Sequence, residues 1–287
     1  MKKRAWLIYD VLGAEKNKNY IQMHIDEGKK MQIAFQFLYA EKMGMVFQNG
    51  ESQVVYDGKI IEKPDFAICR TIQPRLSFLM EEAGIRVWNP AIVSAYANDK
   101  AKTCAFYAKQ GIPTVTTTAY SNGWFREHLH TLEEGCVIKA VAGHGGSQVF
   151  RYQKGNEAEI LQGIGNAEVI VQPYIKGKNQ DLRVYVIGKE IIGAVLRTAQ
   201  SGFKSNFSLG GKVAWYQLQP LEKALVEKII SYFPFGYVGI DFIIDENGAC
   251  ILNEIEDVVG ARMLYQVADI NVLQRYFSFI LEQEMGV

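Results

Sequence analysis

The feature that most constrains this chain is a pair of apolar stretches near its C-terminus. They are Gly239-Ile240-Asp241-Phe242-Ile243-Ile244-Asp245 and Cys250-Ile251-Leu252-Asn253-Glu254-Ile255-Glu256, separated by Glu246-Asn247-Gly248-Ala249. Asn-Gly between apolar runs signals a β-hairpin, because a type I′ turn needs φ > 0 at both central residues. With Asn247 and Gly248 at the turn centre, Glu246 faces Ala249 and Asp241 falls opposite Glu254. Alternation along the strand puts Glu256 on that same face. Three carboxylates then crowd one patch of an apolar hairpin, where like charges repel and buried acids need a partner. A hard divalent cation supplies one, and Mg²⁺ is commonly held by one or two carboxylates plus substrate phosphates. The alternative at this point is a set of acids facing water from an exposed sheet.

At 287 residues the chain is long for a single core, so two or three subdomains are expected. Thirty-one basic and 31 acidic residues balance, which gives no general attraction to nucleic acid or an anionic membrane. No apolar run approaches the length of a bilayer span, and the apolar stretch at the basic start is too short for a signal peptide. Cys69, Cys104, Cys136 and Cys250 are scattered, without zinc or disulfide spacing, so a reducing cytoplasm is the expected compartment.

In chain order, Trp6–Tyr9 reads as a buried strand followed by a polar loop. Ile21, Ile25, Ile33, Phe37 and Leu38, with Gly44 as a stop, predict that Asn19 to Met43 is largely helix. Asp57-Gly58 predicts a second hairpin, and Asp65 to Cys69 a strand ending at Arg70. Arg75 to Ala83 reads as helix and Arg86 to Trp88 as strand. This alternation describes a small parallel α/β unit. Ligands of such sheets sit beyond the carboxyl ends of the strands, which makes Arg70 and Arg75 candidates for an anionic group, solvated surface arginines being the alternative. A helix then starts at Asp99 and Lys100, and a strand is expected from Ile112. Further on, Val137 to Val141 is a strand carrying Lys139 into the glycine-rich turn Gly143-His144-Gly145-Gly146-Ser147. Backbone N–H groups of such a turn close on phosphate, although no Gly-Lys-Ser/Thr opens a helix here; a plain glycine-rich hairpin and an edge lysine are the alternatives. Arg183 and Arg197 fall on neighbouring antiparallel strands, where arginine is uncommon unless paired or binding an anion.

The order of these parts resembles the ATP-grasp superfamily, specifically its RimK-like branch of carboxylate–amine ligases. The most specific piece is Asp181-Leu182-Arg183, then Arg197, then Lys204-Ser205-Asn206-Phe207-Ser208-Leu209-Gly210-Gly211, joined by Gly239-Ile240-Asp241 with Glu254 and by Asp99-Lys100. The resemblance runs from about Asn98 to the end. It implies an α/β fold, α+β in part: a small N-terminal α/β pre-grasp domain over 1–93, a helix and lid subdomain over 94–175, and a C-terminal mixed or antiparallel sheet over 176–287. ATP would lie between lid and sheet. Lys100 and Lys139 would contact its phosphates, the Gly143 to Ser147 loop, His144 included, would close over them, and Gln172, Tyr174 and Ile175 would read adenine. Lys178 or Asp181 would reach the ribose. Asp241, Glu254 and Glu256 would hold Mg²⁺, or Mn²⁺ in its place. Arg197 and Asn206 would lie near the γ-phosphate, and Arg183 would fix a substrate carboxylate or the phosphate.

The implied reaction joins a small-molecule or peptide carboxylate to an amine such as an amino acid through an acylphosphate, with neither nucleic acid nor membrane as partner; a homo-oligomer is left open. The chain departs from the branch at Glu256, where a neutral Asn is usual, and in the Asp257 to Arg262 loop that follows. Substrate choice therefore does not carry over. A non-catalytic ATP-binding regulator, or a kinase or ligase acting on a peptide or protein, are the competing readings.

Overall fold

A computed structural model describes residues 2–177, 179–198 and 212–285. Strand β1 (Lys3–Tyr9) is buried over its last five residues, as a central strand covered on both faces must be. Helices α1 (Val11–Lys16) and α2 (Lys18–Lys30) lead to β2 (Ile33–Tyr39), parallel to β1. The expected helix over 19–43 therefore stops at Lys30. Ile33, Phe37 and Leu38 satisfy a helical spacing, but β1 offers a full ladder of backbone hydrogen bonds, and Gln32 turns the chain into it at φ 60°. Gly28 lets α2 lie directly on this strand, since a Cβ there would meet the Phe35 ring at 2.6 Å. The polar loop expected after β1 is also helical, with Asp10 capping α1 by accepting from Gly13 N at 2.6 Å.

Strands β3 (Met43–Gln48), β4 (Glu51–Tyr56) and β5 (Lys59–Ile61) form a small antiparallel sheet. Its turns are Asn49-Gly50 and the anticipated Asp57-Gly58, all four residues at positive φ. Then β6 (Phe66–Cys69) pairs with β1, α3 (Pro74–Glu82) follows, and β7 (Arg86–Trp88) completes a parallel sheet of order β2-β1-β6-β7. Helices α4 (Ala91–Ala97) and α5 (Lys100–Lys109) connect to the next layer. The strand expected from Ile112 reduces to a single bridge between Thr114 and Leu252, beside Pro113, which has no N–H for a ladder.

The middle sheet is antiparallel, of order β10-β9-β11-β8, from β8 (Thr118–Tyr120), β9 (Val137–Ala140), β10 (Val149–Arg151) and β11 (Val169–Gln172). Helices α6 (Asn122–His128) and α7 (Glu157–Ile164) give it its own core around Phe125, Ile138 and Ile160. The last sheet is also antiparallel, of order β14-β13-β12-β15-β16. It comprises β12 (Gln180–Ile187), β13 (Glu190–Thr198), β14 (Lys212–Trp215), β15 (Tyr237–Ile244) and β16 (Cys250–Glu256), with α8 (Pro220–Ile230) between β14 and β15. Helices α9 (Arg262–Val267) and α10 (Val272–Met285) close the chain.

Alternation splits the last sheet cleanly. Leu182, Val184, Ile240 and Phe242 pack against α5 and α8 on one face. Tyr185, Ile187 and Tyr237 on the other join Leu7, Phe66, Tyr276 and Phe277 in one core shared with the parallel sheet and α10. The first and last sheets thus form a single platform, over which the middle sheet stands on a separate core. Among the described residues no helix is long and apolar enough to cross a membrane.

Asn89 pins the platform together. Its buried amide donates to the Tyr237 and Asp257 carbonyls at 2.9 and 3.0 Å and accepts from Gly236 N at 2.6 Å. Asn89→Ala strands these groups, so its urea-unfolding stability should fall by about 2–4 kcal/mol; an unchanged midpoint would show the bonds to be dispensable.

Candidate active site

The hairpin of β15 and β16 forms by a different route from the one its turn residues suggest. Asp245 N donates to Ala249 O, and the Asp245 carboxylate accepts from the N–H groups of Asn247 and Ala249 at 2.9 and 2.7 Å. Gly248 alone in the loop has positive φ, 84°. The loop is therefore three residues rather than a two-residue type I′ turn, and Glu246 does not face Ala249. That slip would move Glu254 off Asp241, but a β-bulge between Asp241 and Phe242, with Asn253 as the extra residue opposite, restores the register. Asp241 pairs with Glu254 as anticipated. Asp241, Glu254 and Glu256 each bring a carboxylate oxygen within 4.8 Å of the others.

Cations surround these acids. Arg183 grips Asp241 with Nε and Nη2 at 2.6 and 2.5 Å and reaches Glu256 at 3.0 Å. Arg197 clasps Asp181 at 2.5 and 2.7 Å and also donates to Asp241 at 2.8 Å. Lys100 Nζ lies 3.1 Å from Glu254 and donates to the Gly143 carbonyl. Burial alone would raise the Asp241 carboxyl, but the two guanidiniums outweigh it and hold it at about 2. Glu256 goes the other way. Its burial, and the like charges of Asp241 and Glu254, outweigh Arg183 and push its carboxyl up.

A cleft with about 1020 Å³ of free space, its open mouth included, separates the middle and last sheets. Lys100, Lys139, Gly143, Gly145, Gly146, Gln172, Tyr174, Ile175 and Asp181 line it together with Glu254. Lys139 is buried on β9 and donates to Asn253 Oδ1 at 2.7 Å. Burial pulls its ammonium down, and Lys100 adds to this against the pull of Glu254. Gln172 is buried beneath the cleft, donating to Thr117 Oγ1 at 2.8 Å. His144 and Ser147 are exposed and do not line the cleft, but the His144 ring senses the groups at its inner end: burial and Lys100 pull its imidazole down against Glu254. Arg183, Arg197, Asp241 and Glu256 lie on the sheet face beside it. Lys178 and Asn206 lie outside the described residues.

Of the two earlier arginine candidates, Arg75 is exposed, whereas Arg70 is buried. Asn253 and Thr117 escape a reading based on charge and glycine. An Asn set between Leu252 and Glu254 in an apolar strand was the available signal for the first.

The residues fit a phosphorylated ligand with a divalent cation. Two ammonium groups at the inner wall, one of them bonded among the described residues only to an amide oxygen, suit phosphate. Three converging carboxylates suit a hard cation, and the cleft has the size of a small-molecule site.

The sequence profile of the RimK-like ATP-grasp domain matches residues 97–280. "Uncharacterized protein MG011" of Mycoplasma genitalium is 28% identical over 286 residues, covering 98% of this chain and 93% of that one. The "Probable alpha-L-glutamate ligase" of Legionella pneumophila is 27% identical over 208 residues, 70% of this chain and 68% of its own. The structure of the ATP-grasp ligase PsnB, complexed with a phosphomimetic variant of its minimal precursor, Mg and ADP, superposes with a TM-score of 0.66 at 16% identity, covering 99% of both chains. At that identity the likeness shows the fold.

Asp241→Asn should be strongly destabilising at pH 7, by about 3–5 kcal/mol, because it leaves two buried guanidiniums short of counter-charge. The folded carboxyl is held below the ordinary aspartate value of 3.8, so its contribution is present above that value and is lost as pH falls toward 2. The gap in thermal midpoint between wild type and variant should accordingly close across that range; a gap independent of pH would contradict the ion-pair account.

Proposed function

Because the chain belongs to the family of RimK-like ATP-grasp domains, we propose that it is an ADP-forming carboxylate–amine ligase that makes an amide or peptide bond. The observation that carries the reading is a cleft lined by Lys100, Lys139 and Glu254 that adjoins the three-carboxylate patch gripped by Arg183 and Arg197. On this reading 1–93 precede the grasp, 94–175 form the lid and 176–287 the sheet that faces it.

A carboxylate of the first substrate attacks the γ-phosphorus of ATP, forming a carboxyl O–P bond and releasing ADP. The amine of the second substrate then attacks the acyl carbon, and phosphate leaves with the carboxylate oxygen; the amine's surplus proton passes to solvent or phosphate. Phosphoryl transfer asks for positioning and charge neutralisation more than for a nucleophilic side chain. Lys100 and Lys139 neutralise phosphate oxygens from the lid side. Gly143, Gly145 and Gly146 let the loop backbone approach them, and the loop closes over them with His144, which senses Lys100 and Glu254, and Ser147. The strand end Gln172, Tyr174 and Ile175 receives the base. Asp241, Glu254 and Glu256 would hold Mg²⁺, or Mn²⁺ in its place. Such a cation would supply charge neutralisation for the transferred phosphoryl group.

Arg197 neutralises the transferred phosphoryl group, and Asp181, which grips it bidentately, positions it. Lys178 or Asp181, the latter lining the cleft, reaches the ribose. Arg183 neutralises the metal acids and turns toward the substrate carboxylate, with Asn206 assisting at the γ-phosphate. The amine substrate is an amino acid, and the compartment is a reducing cytoplasm, in keeping with four free cysteines.

ADP and phosphate release should appear only when a carboxylate and an amine are both supplied from a panel of amino acids, dipeptides and acidic peptides. Lys139→Met should lower kcat/KM for ATP by about 10²–10³-fold. ADP release indifferent to the whole panel would contradict the ligase reading, and an unaltered Lys139→Met enzyme would contradict the phosphate role.

A further inference from the structure

The sheet face that carries Arg183 and Asp241 continues past them. Tyr185 stands two residues on along β12 and Tyr237 four residues on along β15, on the same side by strand alternation, their rings 6.5 Å apart. Gly239 stands between them and Asp241 along β15, opposite Tyr185 on one side and Glu256 on the other. Against these tyrosines stands the carboxyl end of the parallel sheet, where Tyr9 closes β1 and Arg70 follows β6. Tyr20 of α2 places its ring 5.3 Å from the Arg70 guanidinium.

Arg70 is 6% exposed, yet it differs from the other two buried arginines. Arg183 and Arg197 each grip a carboxylate with two nitrogens. Among the described residues Arg70 has no carboxylate at ion-pair distance. Its Nη2 donates to the Val259 carbonyl at 2.9 Å, just beyond the metal hairpin, and its Nε makes no hydrogen bond. Among the described residues the buried hydroxyls of Tyr20, Tyr185 and Tyr237 make none either, while that of Tyr9 lies against the Arg70 guanidinium. A buried guanidinium without counter-charge is costly, and so is each unmet hydroxyl. Phenylalanine would fill the same volumes without that cost. The cluster therefore has a strong unmet demand for an acceptor of negative charge.

We propose that Arg70, with the hydroxyls of Tyr9, Tyr185 and Tyr237, binds the carboxylate of the amino-acid substrate that supplies the amine. The inference rests on the ligase reading above. The planar guanidinium matches a carboxylate, and phenol O–H groups donate to its remaining lone pairs. Arg183 reaches Glu256, which shares the row of Tyr185 and Gly239, so the tyrosine cluster adjoins the acid patch. A carboxylate held by the Arg70 guanidinium and phenol hydroxyls has its oxygens engaged and is not the one phosphorylated. It can belong to a molecule whose amine points back toward the acyl carbon, which an amino acid provides. Anchoring Arg70 to Val259 fixes the subsite relative to Glu256, three residues earlier in the chain.

The test is a thermal-shift and calorimetric screen of the full chain with Mg²⁺ and a non-hydrolysable ATP analogue, adding L-amino acids one at a time and then the carboxamide of each that binds. At least one amino acid should bind, and its carboxamide should bind at least about tenfold more weakly. Arg70→Gln should lower the amino-acid affinity by about a hundredfold while the nucleotide response stays. Because Arg70 also ties down the Val259 carbonyl, Tyr237→Phe and Tyr185→Phe serve as variants that remove only hydroxyls without a hydrogen bond among the described residues; each should weaken the amino acid several-fold and leave nucleotide binding unchanged. Nucleotide binding without any amino-acid response, equal binding of the carboxamide, or full affinity in all three variants would overturn the subsite and leave the ligase reading standing. Loss of the nucleotide response in the wild type would overturn both.

Discussion

Asp241 held between Arg183 and Arg197 is the interaction on which the rest of this site depends. Strands β12, β13 and β15 are neighbours, and each sends one of these residues to the same face. A carboxylate buried there would be neutral without its guanidiniums, and the guanidiniums would be intolerable without it. Together they keep the central acid ionised and the sheet register fixed. Arg183 also shares its charge with Glu256, whose carboxyl is pushed up by burial and by its acidic neighbours.

The two walls of the cleft are joined by short polar links. Lys139 from the middle sheet bonds to Asn253 on β16, and Lys100 reaches both Glu254 and the Gly143 carbonyl. Asn253 is available because it is the bulged residue of the hairpin. One irregularity therefore keeps Asp241 opposite Glu254 and hands an amide oxygen to the lysine across the cleft. A phosphate entering between Lys100 and Lys139 would take over both ammonium groups, which connects ligand entry to the positions of lid and sheet.

The sequence was most legible where chemistry and periodicity coincide. The two arginine strands, the three acids and the glycine loop were each readable, because charges on apolar strands have few explanations. The first parallel sheet was less so. Ile33, Phe37 and Leu38 fit helix and strand equally, and only pairing with β1 decides between them. At the main hairpin the turn chemistry pointed to two residues, whereas the Asp245 side chain caps a three-residue loop. Asn253 carries no charge and drew no notice. Arg70 at a strand end looks like a surface residue, and its burial comes from packing of the distant last sheet and α10, which no local pattern records.

The central claim is that a carboxylate of one substrate becomes the acyl group by way of an acylphosphate formed in this cleft. Labelling that carboxylate with oxygen-18 and analysing the released phosphate by mass spectrometry tests it directly. The account predicts one labelled oxygen in each phosphate formed, together with ADP. Phosphate that carries no label while product accumulates would contradict it.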